Sequence, residues 1–236
     1  MIVEVIMGML ALAGGNEFRA NCEPMDRFLL EHLGVPRPRV VILPTAARER
    51  PDLAAANGVY YFGRLGTLAA AVMVVDRGSA DDPKQAQALA SAKLVYLAGG
   101  DPSYLLTTLR GSVVEKALRE VDARGGMVAG SSAGAMVLAE WQRDFRQSGW
   151  IPALGLVKGV AVWPHFHWTE EINLVELRGG LPPDVTILGI AEATACLTGD
   201  GMSWEVAGVG DVTVIESVGA VRYTSGESFS LARSRS

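Results

Sequence analysis

An alternation of short, continuously apolar runs with segments of helical character fills the chain up to Ala129, and it constrains the fold more than any other feature. The runs are Val5–Ala13, Arg39–Leu43, Leu68–Val75, Leu94–Ala98 and Gly126–Ala129. A strand with one wet face alternates apolar and polar residues. These runs mostly do not, which suits parallel strands covered on both faces. Between them lie helical segments at Asn21–Leu33, Asp52–Leu65, Asp81–Ala92 and Pro102–Ala123. Asn21 with Glu23 and Pro24, and Asp101 with Pro102, read as helix starts. Gly34, Gly66 and Gly125 read as stops. The pattern predicts an α/β fold with an open, doubly wound, mostly parallel sheet and right-handed crossovers.

The remainder reads differently. Gly155–Trp163 is a strand-like entry and Glu170–Leu177 a short helix. From Val185 onward, turn signals at Gly199-Asp200-Gly201, Gly208, Gly210-Asp211 and Gly219 punctuate short segments. Val206, Val212–Ile215 and Ala220–Tyr223 are expected as antiparallel strands and hairpins added to the sheet. Ser225 to Ser236 is Ser-rich and short of large apolar residues, and is expected to fray. With no internal repeat and no linker, residues 1–236 are expected to form one domain.

Composition excludes several function classes. At 49% hydrophobic and 20% charged, the chain has ample material for a core and is not intrinsically disordered. Lys plus Arg is 21 against 26 Asp plus Glu, a net charge of −5 with no basic run, which argues against nucleic acid. Cys22 and Cys196 lie too far apart for a disulfide framework or a zinc knuckle, and fit a reducing compartment. Val5–Ala13 is too short to span a bilayer, and only Glu4 among charged residues precedes it, unlike a secretory leader. A cytoplasmic protein without membrane contact is expected.

In an open parallel sheet, ligands bind beyond the carboxyl ends of the strands. The residues there are Asn16 and Glu17, Thr45, Asp76, Gly99-Gly100-Asp101 and Ser131-Ser132. Gly130-Ser131-Ser132-Ala133-Gly134 matches the G-x-S-x-G nucleophile elbow, with a strand before it and a helix-compatible run, Ala135–Trp141, after. The tight turn needs small neighbours and exposes the Ser132 hydroxyl, with a helix N-terminus aimed at a developing oxyanion. A Gly/Ser-rich turn without chemistry, or a phosphate site, is the alternative. Two glycines at 99 and 100 let a backbone N–H approach a ligand, so Gly100 and Ala133 N–H groups would make a two-donor oxyanion hole. Asp101 also reads as the N-cap of the next helix.

A serine nucleophile needs a base. Of three histidines, His32 sits in the last turn of a helix, a common structural place, and leaves His165 and His167 in Trp163-Pro164-His165-Phe166-His167-Trp168. At i and i+2 the pair would share one face if extended, and could chelate a metal, but further His or Cys partners are lacking. The acidic residues between Ser132 and His165 are Glu140 and Asp144. Glu140 would lie about two turns down a helix, away from the nucleophile. Asp144, past the helix end, could curl back toward the histidine, so it is preferred and Glu140 held in reserve.

Several blocks in order resemble the peptidase E and cyanophycinase family of serine peptidases, roughly from Val40 to Val214. They are Ile42-Leu43-Pro44-Thr45-Ala46-Ala47; Tyr96 to Asp101 with Leu105-Leu106; Gly130 to Met136; Gly155-Leu156 with Pro164-His165-Phe166; and Gly189-Ile190-Ala191-Glu192-Ala193-Thr194-Ala195. The resemblance implies a class I glutamine amidotransferase-like, flavodoxin-like α/β fold. It implies Ser132 as nucleophile, His165 rather than His167 as base, and Gly100 with Ala133 as oxyanion donors. Asp144 is the match to the family's third member. In peptidase E, arginines after the histidine contact an acidic side chain, and Arg178 falls in that region. Asp101 stands where the family often has Asn, and is carried with Arg178 and His167 as a candidate substrate contact. The amidotransferase relatives use Cys and a His-x-Glu pair; Ser132 and His165-Phe166-His167 argue against a glutaminase.

The expectation is therefore a serine peptidase hydrolysing short peptides, among them dipeptides with an N-terminal acidic residue, through an acyl-enzyme on Ser132. It needs no metal and no organic cofactor, and a homodimer is left open. The rivals are a cyanophycinase-like or esterase hydrolase with the same triad, and a non-catalytic amidotransferase-like binding protein.

Overall fold

The computed structural model describes residues 8–145, 149–167 and 173–231. In chain order the first half comprises β1 (Met9–Ala13), α1 (Glu23–His32), β2 (Arg39–Leu43), α2 (Pro51–Arg64), β3 (Leu68–Ala71), α3 (Arg77–Ala80), α4 (Pro83–Leu89), β4 (Leu94–Leu97), α5 (Pro102–Leu109), α6 (Val113–Ala123), β5 (Met127–Ser131) and α7 (Ala133–Leu138). The second comprises β6 (Trp141–Asp144), β7 (Gly149–Pro152), β8 (Val160–Pro164), α8 (Leu174–Leu177), β9 (Thr186–Ile190), β10 (Thr194–Thr198), β11 (Ser203–Gly208), β12 (Asp211–Glu216), β13 (Gly219–Thr224) and β14 (Ser228–Ser230).

The strands form two sheets. The first has the order β14-β11-β10-β1-β5-β4-β2-β3. Its strands from β1 to β3 pair in parallel, and β10, β11 and β14 extend it antiparallel. The continuous apolarity of the parallel strands has a direct cause: both faces are covered. Leu10, Leu12, Val41 and Leu43 enter one core cluster, while Ala11, Ala13, Val40 and Ile42 enter another beneath α1 and α2. Each fully buried Leu or Ile there contributes about 1.5–3 kcal/mol of transfer free energy.

The expectation of one sheet is corrected by the second, ordered β13-β12-β9-β8-β6-β7. Strands β12 and β13 belong to it rather than lengthening the first, and the strand-like entry at Gly155–Trp163 supplies its β8. Val160, Val162, Leu188, Ile190 and Val212 turn into the main core, and Ala161, Ile187 and Ile215 into a separate cluster with Trp150 and Phe166 on the far face. The buried helix α7 follows β5 and packs against both sheets.

Other departures are local. The segment Pro102–Ala123 is two helices, because Gly111 takes φ +70° and Ser112 restarts the helix by accepting the Glu115 N–H. The Asp81–Ala92 helix is shorter, Pro83–Leu89, with the one-turn α3 before it. The expected fraying from Ser225 is overturned for residues 225–231: Ser228–Ser230 pair with β11, and Phe229 and Leu231 are buried. Val5–Met7, Glu170–Ile172 and residues 232–236 lie outside the described residues.

Candidate active site

Ser132 occupies the turn between β5 and α7 with φ 49° and ψ −110°, a conformation that costs a non-glycine residue of the order of 1–3 kcal/mol. The packing enforces it. A Cβ on Gly130 would lie 2.4 Å from the Gly134 carbonyl carbon, and one on Gly134 would lie 2.4 Å from the Leu97 carbonyl oxygen. Both glycines are thus required for α7 to turn back against β5 and β4, and the strained serine follows.

Ser132 caps α7 without spending its side chain on the helix. Its Oγ lies 2.9 Å from His165 Nε2, and His165 Nδ1 lies 2.8 Å from Glu192 Oε1. A hydroxyl, an imidazole and a carboxylate therefore form one hydrogen-bonded chain in the order of a Ser-His-acid triad. His165 is placed by its backbone: with φ 52°, it donates its N–H to the Gly14 carbonyl. Glu192 follows β9 by two residues, and the next residue, Ala193, donates its N–H to the Gly15 carbonyl.

The carboxylate beside His165 is thus Glu192, and the preference for Asp144 is corrected. Asp144 lies in β6, opposite Gly149 of β7. Its neighbour Arg143 lines the cleft that holds Ser132 and His165. Successive strand side chains alternate faces, so Asp144 is turned the other way and is buried there. The reserve candidate fails for a different reason: Glu140 accepts the Gly159 N–H and pairs with Lys158.

The cleft holds about 310 Å³ and is lined by Gly100, Ala133, Met136, Phe145, Val162 and Trp163 as well as Ser132, His165 and Arg143. Neither Gly100 nor Ala133 N–H donates to another described residue, so both are available to an oxyanion. The Arg143 guanidinium lies 4.6 Å from the ring centroid of Trp163 and 5.9 Å from that of Trp150. Arg143 was not among the residues singled out from sequence. Its signal was weak, one arginine in a short strand of mixed character.

Three weaker expectations are relocated. Arg178 is the C-cap of α8, and its guanidinium donates to the carbonyls of Ile215, Pro182 and Pro183, away from the cleft. Asp101 does cap α5, accepting the Tyr104 N–H, and is not part of the cleft lining although Gly100 and Pro102 are. His167 lines a neighbouring depression with Trp163, His165, Phe166 and Leu177, which adjoins the cleft at Trp163 and His165, and it makes no bond to Ser132. Among the described residues, no group of three or more His, Cys, Asp or Glu is arranged to hold a metal ion. Burial pushes the Cys22 thiol up to about 12 and the Cys196 thiol higher still, so neither competes as a nucleophile at neutral pH.

Comparison with known proteins identifies the family and the fold. Residues 9–203 match the model of peptidase family S51. A crystal structure of a peptidase from an acI-B1 Actinobacterium is 30% identical with a TM-score of 0.83, covering 96% of this chain and 98% of that one. A peptidase E-type protein from Listeria monocytogenes EGD-e, 18% identical with a TM-score of 0.58, covers 92% of this chain and 98% of that one and shares the fold. No curated protein matches the chain. A family match over most of the sequence, together with the elbow serine, assigns the chain to peptidase family S51, the serine peptidases of the peptidase E type.

Proposed function

We propose that the protein hydrolyses short peptides whose acyl-donating residue is acidic, by acyl transfer to Ser132 with His165 and Glu192 completing the triad. The hydrogen-bonded chain Ser132–His165–Glu192 opening into one cleft carries this reading. His165 Nε2 takes the Ser132 proton as Oγ attacks the scissile carbonyl, and the oxyanion forms beside Gly100 and Ala133 N–H. The imidazolium then protonates the leaving amine as the C–N bond breaks. Water attacks the ester, His165 takes its proton, and Ser132 Oγ leaves with that proton restored. Glu192 fixes the imidazole tautomer and stabilises the imidazolium throughout.

Arg143 supports the acidic preference. Its guanidinium faces two indole rings, and among the described residues it has neither an ion pair nor a hydrogen bond. A stacked guanidinium inside a reaction cleft is suited to a carboxylate in bidentate geometry. The two buried free thiols fit a reducing compartment such as the cytoplasm, and no described helix is long and apolar enough to cross a membrane.

The test is a dipeptide library read by mass spectrometry, with a serine-directed phosphonate as a probe of the hydroxyl. Asp-X peptides should be cleaved and Ser132 labelled. Ser132→Ala should abolish labelling and lower kcat by about 10⁴–10⁶-fold without changing the melting temperature. Wild-type hydrolysis retained by purified Ser132→Ala would remove the mechanism. Cleavage of p-nitrophenyl esters but no peptide would favour the esterase rival, and absence of both labelling and cleavage the binding-protein rival.

A further inference from the structure

The end of β1 and the loop that leaves it bond the backbone of Ser132, of His165 and of the residue after Glu192. Ser132 N–H donates to Ala13 O at 2.9 Å, His165 N–H to Gly14 O at 2.8 Å, and Ala193 N–H, next to Glu192, to Gly15 O at 3.0 Å. Gly15 abuts the imidazole itself: a Cβ there would lie 2.3 Å from His165 Cε1. The next charged side chain in the loop, Glu17, is used twice. Its Oε1 accepts the Gly99 N–H at 2.7 Å and its Oε2 the Ser131 hydroxyl at 2.8 Å.

Those two partners are significant by their neighbours. Gly99 precedes Gly100, the oxyanion donor, and Ser131 precedes Ser132, the nucleophile. We infer that Glu17 is a positioning residue: one carboxylate ties the oxyanion loop to the nucleophile strand and fixes the direction of Gly100 N–H relative to Ser132 Oγ. The inference rests on the acyl-transfer reading above, since only there do these two atoms act on one carbonyl. Glu17 is absent from the cleft lining, so it acts through Gly99 and Ser131 rather than on the substrate.

The loop is built to hold that carboxylate still. Asn16 and Phe18, on either side of it, both take positive φ, 65° and 63°. Such strain persists only where surroundings over-determine it. Here the Phe18 ring is packed against Tyr61, Phe62 and Tyr96 with centroids 6.0, 6.2 and 5.5 Å away, and the Cys22 thiol donates to Asn16 O. An anchored carboxylate receiving an amide and a hydroxyl makes two charge-assisted bonds, stronger than neutral ones and directional. An oxyanion donor must meet the tetrahedral intermediate within a few tenths of an ångström to act, which is the tolerance this tether supplies.

The experiment compares Glu17→Gln, Glu17→Ala, Ser131→Ala and the double variant Glu17→Ala/Ser131→Ala, each checked for folding by circular dichroism. Misplacing only the oxyanion donor predicts a loss in kcat with KM within about twofold. The affinity for a peptide aldehyde, which forms the tetrahedral oxyanion, should fall in parallel with kcat. Glu17→Ala should lose about 10²–10³-fold in kcat, as when an oxyanion donor is lost. Glu17→Gln keeps an acceptor for Gly99 and should recover most of it. Ser131→Ala should lose about tenfold, and the double variant should be no worse than Glu17→Ala, because Ser131 acts through Glu17. Unchanged kcat in Glu17→Ala, additive losses, or a rise in KM that accounts for the whole effect would overturn the inference. If Glu17→Ala does not fold, the aldehyde affinity of Glu17→Gln and Ser131→Ala decides: unaltered affinity in Ser131→Ala sinks the tether. Wild-type protein unlabelled by phosphonate would instead remove the reading beneath it, and this inference with it. Labelled wild type with indifferent Glu17 variants removes this inference alone.

Discussion

Ser132 stands at the end of β5 in the middle of the eight-stranded sheet, whereas His165 and Glu192 stand on loops leaving β8 and β9 of the six-stranded one. The side that carries the proposed nucleophile is buried and over-determined: Ser131 is 0% exposed, Gly130 and Gly134 touch neighbouring backbone, and Glu17 and Ala13 hold the turn from β1. The side that carries the proposed base and its carboxylate is open. The His165 and Glu192 side chains are 47% and 46% exposed, and backbone bonds to Gly14, Gly15 and Ile190 carry their placement. The difference separates geometry from chemistry. Side-chain changes on the open side should alter rate with little effect on folding, while changes at the packed glycines that shape the turn around Ser132 should alter both.

The largest test of that division is at Glu192. Glu192→Gln keeps size and an acceptor but not the charge, and should lower kcat by roughly 10³–10⁴-fold through loss of the productive tautomer and of imidazolium stabilisation. Its melting temperature should stay within about 2 °C, as for an exposed ion pair worth little to stability. Asp144→Asn, in the same units of kcat per folded molecule, should cost less than about threefold. By contrast Gly134→Ala must push a methyl toward the Leu97 carbonyl and should lose about 1–3 kcal/mol of stability together with activity. A Gly134→Ala enzyme with normal melting and normal kcat would erase the contrast between the two sides.

A middle-sized effect concerns the two arginines. Arg143→Met keeps a long side chain against Trp163 and Trp150 but removes the guanidinium. It should lower kcat/KM for an acidic substrate by about 10–100-fold relative to its neutral isostere, the range for losing a charged hydrogen-bonding partner. Arg178→Met should leave that ratio unchanged and cost about 1 kcal/mol of stability through the lost carbonyl contacts. Paired kinetics on Asp and Asn peptides check both, and an unmoved Asp/Asn ratio in Arg143→Met would detach the guanidinium from specificity.

The same division explains what could be read from the sequence. Strand β2 falls where the apolar run predicts it, at Arg39–Leu43, because a strand buried on both faces leaves no ambiguity of pattern. The elbow serine was legible for a related reason: the tight turn leaves no room for a side chain at 130 and 134, and that restriction is written into the sequence. The second sheet was not legible, since β6 spans four residues and joins β8 through a single residue pair, Trp141 with Ala161. Glu192 lies beyond a strand, β9, that the sequence pattern does not mark as parallel. Reading the region after Val185 as hairpins left the end of β9 outside the strand-end rule, although β9 pairs in parallel with β8 and carries Glu192 two residues beyond it. Asp144 attracted attention by lying between Ser132 and His165 in sequence, but strand alternation turns it from the cleft once Arg143 faces in.

The smallest effect lies on the buried side and does not touch the rate directly. Asp26 in α1 is fully buried; its Oδ2 accepts the Tyr61 hydroxyl at 2.8 Å, and its Oδ1 has no partner among the described residues. Burial pushes its carboxyl up to about 7, opposed by the Tyr61 bond and reinforced by the charge of Glu17. The sign follows from proton counting. Below about pH 4 both folded and unfolded chains hold the proton. Between about pH 4 and 7 only the folded chain does, so stability falls with rising pH by up to about 1.4 kcal/mol per unit, and above 7 the loss is complete. Asp26→Asn removes the charge and should flatten this slope. Its amide nitrogen gains no acceptor at the Oδ1 position, which costs about 1–3 kcal/mol at every pH. The variant should therefore be no more stable than wild type at pH 5 and more stable, by about 1–3 kcal/mol, at pH 8. Urea unfolding at the two pH values measures it. Parallel pH dependences for the two proteins would mean that Asp26 titrates as an exposed carboxylate does, and that the nucleophile side is less dry than its packing implies.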